Sequence, residues 1–268
     1  MKSIVVLYLI LFSVSVNSQT WMKIQKVSGG TDSIALSDIQ RIYFSGAYNI
    51  PQDYVAYYPF NNSFNDESLN SLHLSPIGSP TFTTDRFNNP LKAGQFNGNS
   101  DYLKRDSTAL LKPDNAFTLC AWFKTESIDA ESDVIISTLA VPDLGGYQVT
   151  LARRPEFVIE GDARTPDTQA IQTSYDTSRF NKWNFVVYTY SAGVGQRLYL
   201  NGIRVAETNV AVQIVYQSNN QFFIGTNPHE YSSLRMFKGL IDDIRIYNRV
   251  LSDSEITALF FEGGWSGN

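Results

Sequence analysis

Asp242 and Asp243 stand side by side in GLIDDIRIY, a run whose apolar residues otherwise alternate as in a half-buried strand. Strict alternation puts Leu240, Asp242, Ile244 and Ile246 on one face and Ile241, Asp243, Arg245 and Tyr247 on the other. One aspartate then points at the apolar side or its rim, where a carboxylate is costly unless hydrogen-bonded or bound to a cation. A second acidic pair, Glu160 and Asp162 in VIEGDAR, has the i, i+2 spacing that could aim two carboxyl groups from one strand. A retaining glycosidase needs such groups roughly 5–5.5 Å apart, but Gly161 and the turn residues that follow favour a strand-end loop. His73 and His229 are the only histidines, and neither has a nucleophile beside it. As strand neighbours His229 and Glu230 would face opposite ways, a poor arrangement for a shared metal. There is no glycine-rich phosphate loop, cysteine cluster or HExxH, so the residue types favour binding over catalysis.

Sugar sites set aromatic faces against C–H patches and read hydroxyls with amides and carboxylates. Three loops carry such residues: VPDLGGY with Tyr147, ARRPEF with Arg153 and Arg154, and TNPHEYSSLRMF with Asn227, His229 and Tyr231. Each also has an ordinary reading. Tyr147 alternates with Val149 and suits a core, and the two arginines suit a solvated surface.

These residues need a scaffold. The chain has 268 residues, 43% hydrophobic and 13% aromatic, enough for one large all-β domain with an appendage. Its formal charge is −5 with scattered acids and no basic stripe, which argues against a nucleic-acid partner. Lys2 followed by the apolar run Ile4 to Val16 reads as a signal peptide over 1–18, cut before Gln19. No later segment is long and apolar enough to span a membrane. Cys120 is the only cysteine, in FTLCAWFK, and reads as a buried structural thiol. An exported chain without disulfides is held by its core or by bound ions. This points to a secreted or cell-envelope protein of bacterial type.

Residues 19–50 read as a small β-hairpin and linker, with alternating runs flanking Gly29-Gly30 and a further extended run in LSDIQRIYF. Residues 51–268 hold about eleven short strands: YVAYYPF, KAGQFNG, FTLCAWFK, DVIISTLA, YQVTLAR, EFVIEGD, WNFVVYTYS, QRLYLNG, IRVAET, QFFIG and LIDDIRIY. Asn201-Gly202 between apolar runs predicts a type I′ hairpin turn. Ser252-Asp253-Ser254-Glu255 is a capping box ahead of Ile256, Leu259 and Phe260, and predicts one short C-terminal helix.

With the strands placed, six blocks resemble the laminin-G-like domains of the concanavalin A-like lectin/glucanase superfamily. In family order they are VAYYPFNNSFNDESLNSLHLSP, TTDRFNNPLKAGQFNG, FTLCAWFK, KWNFVVYTYSAGVGQRLYLNGIRVAET, FFIGTN and FKGLIDDIRIYNRVLSDSEI, covering about 200 residues between Val55 and Ile256. The resemblance implies an all-β jelly-roll sandwich of two antiparallel sheets, with strands near both termini meeting in one sheet. It makes Trp122 and Trp183 packing residues. It implies a structural calcium ion held by Asp66 of the NDES loop, Asp242 and backbone carbonyls; the alternative is that Asp242 bonds loop amides or Arg245 and Asp243 is solvated. Superfamily glycosidases carry an alternating triplet of acids, and here Arg164 stands at the third position. The expected function is a non-catalytic module binding a glycan or a protein surface. The alternatives are a glycan-processing hydrolase with an atypical site and a purely structural or adhesive module.

Overall fold

The computed structural model of the protein describes residues 21–25, 31–35, 49–126, 132–138, 145–154, 156–164, 170–211, 213–218, 220–227 and 236–265. The chain divides into two compact units, with the boundary between Ala47 and Tyr48. In the first, β1 (Trp21–Gln25) pairs antiparallel with β2 (Thr31–Ala35), Trp21 opposite Ala35 and Gln25 opposite Thr31. This is the hairpin expected about Gly29-Gly30. Residues 1–18, read as a signal peptide, and the run LSDIQRIYF at 36–44 lie outside the described residues.

The second unit is a sandwich of two antiparallel sheets. One has seven strands, in the order β12 (Ile171–Ser174), β11 (Glu156–Arg164), β10 (Gly146–Arg154), β9 (Ser132–Ser137), β16 (Phe222–Ile224), β7 (Tyr102–Arg105) and β4 (Ser75–Ile77). The other has eight: β15 (Ile203–Thr208), β14 (Gly195–Leu200), β13 (Asn184–Ser191), β8 (Ala116–Thr125), β17 (Lys238–Tyr247), β6 (Ala93–Asn97) and β5 (Thr81–Thr83), with β3 (Ala56–Tyr58) also pairing β17. Strands near the two ends of the unit therefore do meet, Tyr58 opposite Ile244. Each of the eleven expected segments contains a strand.

Alternation decides what each sheet buries. Tyr147, Val149 and Leu151 of β10 and Ile159 and Ala163 of β11 face a core shared with Leu119, Ala121 and Phe123 of β8 and Val186, Tyr188 and Tyr190 of β13. Gly161 lies under the Tyr188 ring so closely that a Cβ would come within 2.3 Å of it, which is why a glycine sits mid-strand here. The opposite face of the eight-stranded sheet is apolar as well. Cys120, Trp122, Phe185, Val187, Tyr199 and Tyr247 pack there against Ile256, Leu259 and Phe260 of α1 (Asp253–Phe260) and against Trp265. Cys120 is 1% exposed, and burial pushes its thiol well above the usual range, so it stays protonated and inert. The capping box of α1 is complete, with Ser252 accepting from Glu255 N–H and Glu255 reaching back. Asn201 and Gly202 have φ of 54° and 77°, as the tight hairpin turn requires.

The aspartate pair departs from strict alternation. Asp242 lies opposite Trp122, but Arg245 lies opposite Cys120, so three steps on β17 match two on β8. This is a β-bulge, with Asp243 in the left-handed region at φ 45°. The extra residue resets the faces: Ile241, Ile244 and Ile246 point into the core, while Asp242, Arg245 and Tyr247 lie on the helix-bearing side. Neither aspartate enters the apolar core.

Candidate functional site

The bulge sets Asp242 and Asp243 against Arg86, which comes from the segment between β5 and β6. Arg86 Nη1 is 3.0 Å from Asp242 Oδ2 and 2.8 Å from Asp243 Oδ2, and its guanidinium lies 4.5 Å from the ring centre of Trp122. Tyr57 donates its hydroxyl to Asp243 Oδ1 at 2.7 Å. Arg245 stacks 4.3 Å over Tyr57 and binds Glu262 at 2.8 Å. Burial, and then the charge of Asp243, push the Asp242 carboxyl well above the usual range. Burial also works to raise Asp243, but Arg245, Arg86 and the Tyr57 hydrogen bond together hold it below that range. The two carboxylates differ because one has two guanidiniums and a hydroxyl and the other shares a single guanidinium.

These residues do not fit a calcium site. Asp66 is 5% exposed and both its oxygens are taken: Oδ1 accepts from Tyr57 N and Ser68 N, and Oδ2 from Ser68 Oγ and Leu72 N, all within 2.6–2.9 Å. Tyr57 separates the two acidic places, its N–H on Asp66 and its hydroxyl on Asp243. A guanidinium already occupies the cation position beside Asp242. Calcium calls for six to eight oxygens, and among the described residues no three acidic, histidine or cysteine side chains converge as a metal set.

Glu160 and Asp162 share the face of β11 that points away from the core. They lie opposite Thr150 and Gln148 of β10 and are 2% and 3% exposed. Tyr147 is wholly buried between the sheets and donates its hydroxyl to Leu111 O, a position closed to a ligand from solvent. Arg153 is exposed, with its guanidinium 5.6 Å from the Phe157 ring centre. Asn227 is buried, and His229 and Tyr231 lie outside the described residues.

An open cleft of about 450 Å³ lies instead on the helix-bearing side of the eight-stranded sheet. Its floor is Leu240 of β17 and Lys124 of β8. One wall is the β5–β6 connection, with Thr83, Thr84, Asp85, Arg86 and Asn88; the other is Asn181, Lys182 and Trp183, just before β13. Asn88 and Asn181 sit at the rim with φ of 64° and 59°, a conformation asparagine tolerates better than most residues. Trp183 is half-buried: one side packs on the helix-side cluster and the rest faces the cleft. It is therefore both the packing residue expected and a cleft residue. Sequence reasoning missed the other lining groups. The signal available was that asparagine ends RFN in both DRFNN and SRFNK, two turns that the topology sets facing each other.

A laminin G family model of the concanavalin A-like lectin/glucanases superfamily matches residues 97–257. Among solved structures, the binding domain of botulinum neurotoxin serotype D/C aligns with TM-score 0.61 and 15% identity over 78% of this chain and 51% of its own. A botulinum neurotoxin DC binding domain in complex with rat synaptotagmin II gives 0.59 and 16%, with the same coverage of 78% and 51%. Domain 4 of a GH43 extracellular arabinanase from Geobacillus stearothermophilus, in complex with arabinotriose, gives 0.58 and 20% over 77% of this chain and 98% of that domain. The chain spans about half the length of the toxin domains it matches, and at these identities the likeness shows the fold alone. These neighbours are binding domains. No curated protein gives a significant sequence match.

Proposed function

The chain belongs to the laminin-G-like domains of the concanavalin A-like lectin/glucanases superfamily, and from that membership we propose that it is an exported, non-catalytic module that binds carbohydrate. The observation that carries this is the cleft: concave, walled by two asparagine side-chain amides and threonine hydroxyls, with a half-buried tryptophan at its edge. That combination offers an apolar face to sugar C–H groups and amides to hydroxyls. The nearest thing to a catalytic pair, Glu160 and Asp162, is almost closed to solvent. The arabinotriose complex of the arabinanase domain supports sugar as the ligand class on this fold. The synaptotagmin complex supports a protein surface as the second reading.

A glycan array probed with the chain from Gln19 to Asn268 tests the proposal. Binding is expected to fall about tenfold or more in Asn88→Gly and Asn181→Gly, which remove the amides while keeping a backbone glycine adopts freely. Absence of binding to every glycan on the array, with the protein folded, would leave the protein-surface reading in its place.

A further inference from the structure

The groups lining the cleft divide into those already spent on the protein and those that are not. Asp85, the only carboxylate in the lining among the described residues, accepts from Phe87 N and Asn89 N at 2.8 Å each and from Asn89 Nδ2 at 3.0 Å. Arg86 is committed to Asp242 and Asp243. The ammonium groups of Lys124 and Lys182 have no hydrogen bond or ion pair among the described residues, and neither do the side-chain amides of Asn88 and Asn181. Asp176 feels the charge of Lys182, but it is fully exposed and its carboxylate accepts from Ser178 N at 2.7 Å. What remains, among the described residues, is a pair of lysines with no ion-pair partner, in a chain of net charge −5 and inside a concavity with an aromatic wall.

We infer that this cleft takes an acidic saccharide, its carboxylate or sulfate set between Lys124 and Lys182 and its ring against Trp183. The inference rests on the carbohydrate reading above and adds the charge of the ligand. Lys124 is half-buried on the cleft floor and Lys182 is exposed on its wall, so an anion between them would be partly shielded from water and its charge-assisted hydrogen bonds strengthened. Neutral sugars would leave both ammonium groups to solvent and gain only the amides and the ring.

The experiment is calorimetric titration of the chain 19–268 with three probes: an oligogalacturonate carrying carboxylates, a chondroitin sulfate oligosaccharide carrying sulfates, and neutral arabinotriose. At least one acidic probe is expected to bind, more weakly as salt rises from 50 to 500 mM. Lys124→Gln with Lys182→Gln is expected to cost that probe about ten- to a hundredfold while leaving Tm unchanged. The relative response to oligogalacturonate and chondroitin sulfate tells carboxylate from sulfate. Arabinotriose bound as tightly as the acidic probes, with the double variant indistinguishable from the parent, overturns the acidic-ligand inference and leaves the carbohydrate function standing. No binding to any of the three, together with an empty glycan array, overturns both.

Discussion

Arg86 is the side chain on which the acidic bulge depends. It is 7% exposed, flanked by the rings of Phe87 and Trp122 at 4.6 and 4.5 Å, and it serves both carboxylates through one nitrogen. Its removal would leave Asp242 buried without a guanidinium, accepting only from Asp243 N–H, while Asp243 keeps Arg245 and the Tyr57 hydroxyl. Arg86→Met is therefore expected to destabilise the protein by about 3–5 kcal/mol in urea titration, and adding Asp242→Asn should recover part of that loss. A cost within experimental error would mean the cluster is solvated rather than structural. Because the guanidinium stands where a cation would, melting in excess calcium and in chelator should give the same Tm. A calcium-dependent rise abolished by Asp66→Asn would reverse that conclusion. The sequence showed that these aspartates needed compensation but not its source. Arg86 is 156 residues away from Asp242, and nothing in DDIR, neither glycine nor proline, marks the bulge that turns Asp242 and Arg245 to the same side. The cleft was illegible for the same reason, since its two walls are far apart in sequence and become one site only through the pairing of β8 with β17.

At the scale of elements, the last helix is fixed by charge as much as by its apolar stripe. Glu255 closes the capping box on Ser252 N–H at 2.8 Å and is bound by Arg249 at 2.7 Å, which in turn holds Asp53 at 2.6 Å. The Arg249 hydrogen bond, and then the Ser252 amide, hold Glu255 down from its ordinary 4.5 to about 2. A carboxyl with a lowered folded value binds its proton more readily in the unfolded chain, so the stabilisation is complete above about 4.5 and is lost as pH falls towards 2. Urea titrations across that window should show stability declining with acid, and Glu255→Gln should make the decline shallower, leaving the part due to the other carboxyls with lowered values, Asp53, Asp176 and Asp243. An unchanged slope in the variant would remove Glu255 from the account. This element was legible because its signal is local: a capping box is four consecutive residues. The same holds for the Asn201-Gly202 turn and for the eleven longer or more apolar strands. The four strands not foreseen, β4, β5, β7 and β12, have three or four residues each, and β4, β5 and β12 are the edge or outermost strands of their sheets. SPI, TFT and IQTS are too short and too polar to alternate visibly, and become strands only because a neighbour offers hydrogen bonds.

For the whole molecule, β17 decides when the sandwich can close. It pairs with β8, β6 and β3, so the eight-stranded sheet stays divided until residues 238–247 are available. Tyr57 and Asp243, hydrogen-bonded across that join, are 186 residues apart in sequence. Contacts of such separation make folding slow, on the order of milliseconds to seconds, because loop closure must precede the contacts that compensate for it. A chain ending at Phe237 loses β17, the partner of three strands, and α1 with it, leaving Trp122, Phe185 and Tyr199 without their cover. It is expected to show no cooperative transition in thermal or urea unfolding followed by circular dichroism. A chain beginning at Tyr48 lacks only the unit that contains the β1–β2 hairpin, and it keeps both sheets and both apolar clusters. It should unfold cooperatively with a midpoint close to that of 19–268 and bind the same glycans. If it fails to fold, the hairpin unit is part of the sandwich's stability; if it folds but no longer binds, the hairpin contributes to ligand recognition.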